Sequence, residues 1–212
     1  MGALNDLGVR HGTDKARHVY NGVSYLDVYE IYLEPRRATV ANVVEIGVLR
    51  GQSLRTWHDY FPQANIWGID IDPAASAYGG SRITILTGSQ ADPEILAKAA
   101  PGQLLDLVID DGSHLVDHMI TSFEILWPRL RPGGFYVMED TNCSYDDMRP
   151  YMSAWPGQSH NPESTNFNND RAKLNKLFYD RIFAMDTPEK EHTQRDTGLI
   201  HFWPRQVVLR KV

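Results

Sequence analysis

The chain has 212 residues, 42% hydrophobic, 10% aromatic and 23% charged, which supports one globular domain with a sizeable core and excludes an intrinsically disordered chain. Lys and Arg number 21 against 27 Asp and Glu, a formal net charge of −6, so a nucleic-acid backbone or an anionic membrane surface is a poor partner. One cysteine, Cys143, excludes an internal disulfide and Cys-rich zinc sites.

The opening residues, Met1 to Asp6, carry neither a basic start nor an apolar run, so no secretory leader is expected. Charged or turn residues interrupt each apolar stretch well before the roughly 18 residues of a membrane span. The expectation is a cytoplasmic protein folded as a single domain over residues 1–212.

Residues 1–24 are polar and Gly-broken, with the cluster His11-Gly12-Thr13-Asp14-Lys15. Tyr25, Val28, Tyr29, Tyr32 and Leu33 recur at helical spacing, and Pro35 ends that run. Residues 1–37 thus read as an N-terminal helical cap beside a substrate. Then strands and helices alternate. Strands are predicted at 43–46, 66–69, 83–86, 105–109 and 135–138, and helices at 53–60, 93–100 and 116–131. Short continuous apolar strands separated by helices indicate a parallel sheet buried on both faces. The fold expected is α/β, a doubly wound, mostly parallel Rossmann-like sheet. Residues 198–202 and 206–212 read as an antiparallel hairpin closing it, with a helix predicted at 171–185. Residues 144–170, rich in Asn, Pro and aromatics, read as a lid over the site, because structure-poor stretches this long usually serve binding.

Ligands of such sheets bind beyond the C-terminal strand ends, so the residues after each strand are the candidates. The first strand ends Glu45-Ile46-Gly47-Val48-Leu49-Arg50-Gly51. Gly47 would let a ligand approach the backbone, and Gly51 would let the next helix start close by; the turn also serves as an ordinary tight β–α connection. It lacks the middle glycine of GxGxxG, which argues against a dinucleotide. The second strand ends Asp70-Ile71-Asp72-Pro73. Asp70 suits ribose hydroxyls and Asp72 a helix cap, with the reverse assignment open. Ser89 and Gln90 after the third strand suit an adenine edge, or else open the helix that Asp92-Pro93 caps.

These pieces resemble the class I S-adenosylmethionine-dependent methyltransferases over roughly residues 40–140. The resemblance implies that the turn with Glu45, Gly47 and Gly51 holds the methionine part and Asp70 the ribose. Ser89, Gln90 and Asp110 complete the cofactor set.

The fourth strand ends Asp110-Asp111-Gly112-Ser113-His114 and the fifth Glu139-Asp140. On adjacent strands, Asp111, Glu139 and Asp140 would offer one all-oxygen site that suits Mg²⁺, or Mn²⁺; solvated turns and caps are the plainer alternative. His114 follows Asp111 at i+3, where a neutral imidazole can accept a proton, although isolated histidines are more often surface residues. The D-D-G-S-H run, the E-D pair and Gly12-Thr13-Asp14-Lys15 with the following Tyr-rich stretch resemble the metal-dependent sugar O-methyltransferases of antibiotic biosynthesis, of the mycinamicin type. That resemblance implies Mg²⁺ on Asp111, Glu139 and Asp140, His114 as general base, and a small hydroxylated acceptor, with self-association as a possible arrangement. A relative of the cephalosporin hydroxylases and a methyltransferase acting on a catechol are the rival readings.

Overall fold

The computed structural model describes residues 2–145, 170–187 and 196–212. A seven-stranded sheet forms the centre. Five parallel strands come first in the chain: β3 (Asn42–Ile46), β4 (Asn65–Asp70), β5 (Ile83–Thr87), β6 (Leu105–Asp110) and β7 (Leu130–Met138), after a short N-terminal hairpin of β1 (Val19–Tyr20) and β2 (Val23–Ser24). The last two, β8 (Thr197–Trp203) and β9 (Gln206–Lys211), are antiparallel, and the spatial order is β5-β4-β3-β6-β7-β9-β8. The doubly wound sheet and its closing hairpin therefore stand as expected.

Alternation along each strand divides the core into two layers. Val43, Leu107, Ile109, Phe135 and Val137 face Leu26, Tyr29, Trp57 and Phe61, contributed by α2 (Tyr25–Leu33) and by α3 (Gln52–Tyr60) with the residue that follows it. Val44, Ile46, Val108, Tyr136 and Met138 face the opposite layer of Leu96, Phe123, Leu174 and Phe178, from α4 (Pro93–Lys98), α5 (Val116–Leu126) and α6 (Arg171–Asp186). Burial on both faces is why these strands read as unbroken apolar runs rather than alternating ones.

Three boundaries differ from the sequence reading by more than two residues. Ala3–His11 form helix α1, where a polar, broken segment was expected. Its buried face is Leu4, Asn5 and Gly8, too polar and small to register as an apolar period, and Gly12 closes it in the left-handed conformation (φ 76°). The helix expected to reach residue 131 stops at Leu126 and passes into a 3-10 turn, Trp127–Arg129, because Pro128 cannot continue the ladder. Strand β7 accordingly starts at Leu130, and Pro132-Gly133-Gly134 lies inside it at a register shift opposite Leu105–Leu107. The lid expected at 144–170 falls, apart from Ser144, Tyr145 and Asp170, outside the described residues. No described helix is long and apolar enough to cross a membrane.

Candidate active site

The parallel register aligns the C-terminal strand ends. Ile46 pairs with Asp110, and Asp110 with Met138, so the residues after β3, β6 and β7 emerge side by side. A cleft of about 250 Å³ opens there, and Gly47, Asp70, Asp111, His114 and Asp140 all line it.

Gly47 shapes the first turn. It sits at φ 90°, and a Cβ there would lie 2.0 Å from the Asp111 carbonyl oxygen. Only glycine lets the first turn pass so close to the loop that carries Asp111. Asp70 braces the same turn: its Oδ2 accepts the amides of Val48 (2.8 Å) and Leu49 (2.9 Å), and its Oδ1 that of Asp72 (2.9 Å). Asp72 caps the following 3-10 turn by accepting the Ala74 amide at 2.9 Å. Asp70 and Asp72 both line the cleft.

Of the remaining residues expected against a cofactor, Ser89 and Gln90 line the cleft, whereas Glu45, Gly51 and Asp110 lie behind it. Asp110 is buried among Gln90 Nε2 (3.0 Å), Ser122 Oγ (2.5 Å) and Tyr136 Oη (3.2 Å), all donating to its carboxylate. Burial raises its pKa, and these donors work against that rise. Gln90 spends its other amide atom on the Ser113 N–H (2.6 Å), so it ties the strand end to the loop before His114. Glu45 turns inward to the Trp57 indole N–H (2.7 Å) and toward Lys15, and burial pushes its pKa up to about 7. Gly51 shapes the turn at φ 66°, its amide donating to Val48 O at 2.8 Å. These residues act on the cleft through the backbone they hold.

Ligand atoms of Asp111, His114 and Asp140 all lie within 4.8 Å of one another. His114 and Asp140 both adopt left-handed backbone conformations, at φ 57° and 48°. Non-glycine residues rarely do so without a compensating role, and such residues gather at functional sites. Glu139, next to them, is fully enclosed: Tyr29 Oη donates to its Oε1 at 2.5 Å and Lys15 Nζ to its Oε2 at 2.8 Å. Tyr25 Oη donates to Asp140 Oδ1 at 2.6 Å. Burial and the neighbouring Asp140 carboxylate hold the Tyr25 phenol well above its ordinary pKa, so it stays a donor.

Lys15, Tyr25 and Tyr29 are site residues that the sequence reading did not assign. Their signal was present in the Thr13-Asp14-Lys15 cluster and in tyrosines four apart on one helix face. Their partners lie 96 to 124 residues away along the chain, and local pattern carries no information at that range. His118, one helical turn past His114, also lines the cleft, with its Nδ1 2.9 Å from Ser113 Oγ.

The sheet order and the cleft at its C-terminal edge define the class I methyltransferase fold. Residues 44–141 match the family described as a methyltransferase domain. It is 32% identical over 216 residues to the 8-demethyl-8-alpha-L-rhamnosyl tetracenomycin-C 2'-O-methyltransferase of Streptomyces olivaceus, an alignment covering 98% of this chain and 54% of that enzyme. It is 33% identical to the mycinamicin VI 2''-O-methyltransferase of Micromonospora griseorubida, over 87% of this chain and 45% of that enzyme. Among solved structures, the MycE methyltransferase of the mycinamycin pathway in complex with Mg, SAH and mycinamycin VI superposes with a TM-score of 0.74 at 30% identity, covering 99% of this chain and 54% of that one. The chain spans about half the length of these relatives.

Proposed function

We propose that this chain transfers a methyl group from S-adenosylmethionine to a hydroxyl of a sugar on a glycosylated natural product, with a divalent cation, Mg²⁺ or Mn²⁺, at the acceptor end of the cleft. The observation that carries the reading is the convergence of Asp111, His114 and Asp140 in the same cleft that the Gly47 turn and Asp70 line. Relatives that act on rhamnosyl and mycinamicin acceptors, and a structural neighbour holding Mg and SAH, support it. A net charge of −6 favours a small molecule over nucleic acid as partner.

The donor set fits the cation. Asp111 and Asp140 present carboxylate oxygens beside the cleft, whereas Glu139 lies outside that cluster, held by Tyr29 and Lys15, and would join the ion by turning its Oε2 away from Lys15. A hard ion of this kind takes oxygen ligands and keeps coordination positions for a substrate. When bound, it supplies charge stabilisation for the acceptor oxygen as that oxygen becomes a nucleophile. Methyl transfer from a sulfonium is an in-line displacement, so the chain's own task is alignment. Gly47 and Asp70 set the donor's position, Tyr25 and Tyr29 fix the carboxylates, and His114 takes the proton from the acceptor hydroxyl.

Asp70→Ala should weaken S-adenosylmethionine binding by about 1–3 kcal/mol, because the carboxylate both braces the turn and faces the ribose. Calorimetry checks this; an unchanged dissociation constant moves the ribose contact to Asp72. The acceptor class is tested with a panel of glycosylated polyketides, their aglycones and simple catechols. Methylation confined to the glycosides is expected, and methylation of catechols alone would replace the sugar reading with the phenol one.

A further inference from the structure

Lys15 is 1% exposed, a rare state for a lysine unless its charge is met. It sits on the 3-10 turn Asp14–Ala16, whose entry Thr13 fixes by accepting the Lys15 amide on its Oγ at 3.4 Å. Its ammonium has three protons to donate and meets three carboxylates: Asp111 Oδ2 in a short contact, Glu139 Oε2 at 2.8 Å and Glu45 Oε1 at 3.5 Å. Burial by itself would lower the lysine's pKa, but the carboxylates outweigh it and hold the group well above its ordinary value. Glu45, Asp111 and Glu139 thus meet the ammonium at the strand ends, and Asp140 lies beside Asp111 on the cleft side.

We infer that Lys15 is a positioning residue that acts as the site's resident cation: it holds Asp111 and Glu139 in place and binds them in opposition to the divalent ion. The inference rests on the assignment of Asp111, Glu139 and Asp140 to that ion. Two cations served by the same carboxylates repel one another, and a partly enclosed site screens that repulsion little. The lysine thereby keeps the acidic cluster folded without metal and limits how tightly metal is held.

The test is Mn²⁺ binding at fixed pH, measured by calorimetry and by the paramagnetic resonance of free Mn²⁺. The wild-type chain should bind Mn²⁺, and Lys15→Met should bind it at least about tenfold more tightly, the sign expected when a competing charge is removed. A lysine that merely supports the fold gives the opposite sign, so equal or weaker binding by a folded Lys15→Met chain overturns the inference. Should that variant fail to fold, Lys15→Met/Glu139→Gln, which removes one charge of each sign, is compared with Glu139→Gln alone. Tighter binding by the double variant supports the inference, and equal or weaker binding overturns it. Absence of Mn²⁺ binding in the wild type, or binding unaffected by Asp140→Asn, instead overturns the metal-site assignment itself.

Discussion

Replacing His114 with Ala is expected to lower turnover by about 10²- to 10⁴-fold, the usual cost of a lost general base, while leaving cofactor and metal affinity close to wild type. The position supports such a separation. His114 lines the cleft next to Asp111 and Asp140, and its left-handed backbone (φ 57°) directs the ring from a loop fixed by the Gln90–Ser113 contact. A sugar hydroxyl gives up its proton reluctantly near neutral pH, so an acceptor for that proton is needed as the carbon–oxygen bond forms. Steady-state kinetics with calorimetry on the same preparation checks both halves. Wild-type turnover in His114→Ala removes the base role; a parallel collapse of metal affinity makes His114 a ligand instead.

Asp111→Asn and Asp140→Asn should act through the metal. Each removes a formal charge from a group whose oxygen lies within 4.8 Å of the other ligand atoms, and each should raise the Mn²⁺ dissociation constant by tenfold or more, since losing even a group that only orients a metal ligand typically costs about 10- to 100-fold in affinity. Excess Mg²⁺ should then restore part of the lost turnover, which it cannot do for His114→Ala. Asp140→Asn also leaves the Tyr25 hydroxyl facing a neutral amide in place of a carboxylate. A Tyr25→Phe variant, which keeps the ring and drops the donor, should show a smaller affinity loss than Asp140→Asn. Titration of metal into each variant measures the effect, and wild-type affinity in both Asp variants would contradict the assignment.

What could be read from sequence followed the range over which each signal acts. The five parallel strands declared themselves as short apolar runs, β3 and β6 being buried on both faces, and the adjacency of Asp111 to the Glu139-Asp140 pair followed from strand order. Asp72 and Asp92 were legible as caps because the capped amides, at Ala74 and Glu94, lie two residues on. Helix α1 was hidden by Asn5 and Gly8 on its buried face. Glu45 and Asp110 stand at strand ends, where sequence places them beside the cleft, but side-chain direction is decided by distant partners. Trp57 and Lys15 draw Glu45 inward, and Ser122, Gln90 and Tyr136 do the same for Asp110. The support of the acidic cluster by Lys15, Tyr25 and Tyr29 is tertiary in origin. It joins the N-terminal segment to strand ends more than 95 residues later.

Metal-dependent methyl transfer to a sugar hydroxyl can be followed in a single-turnover reaction. The chain is mixed with methyl-labelled S-adenosylmethionine and a rhamnosylated or deoxysugar-bearing polyketide, with Mg²⁺ or with EDTA, and the label is located in the product. Label on a sugar oxygen with Mg²⁺, and its loss in EDTA, is the expected result. Undiminished transfer in EDTA, or label on the aglycone in place of the sugar, rules out metal-dependent transfer to the sugar.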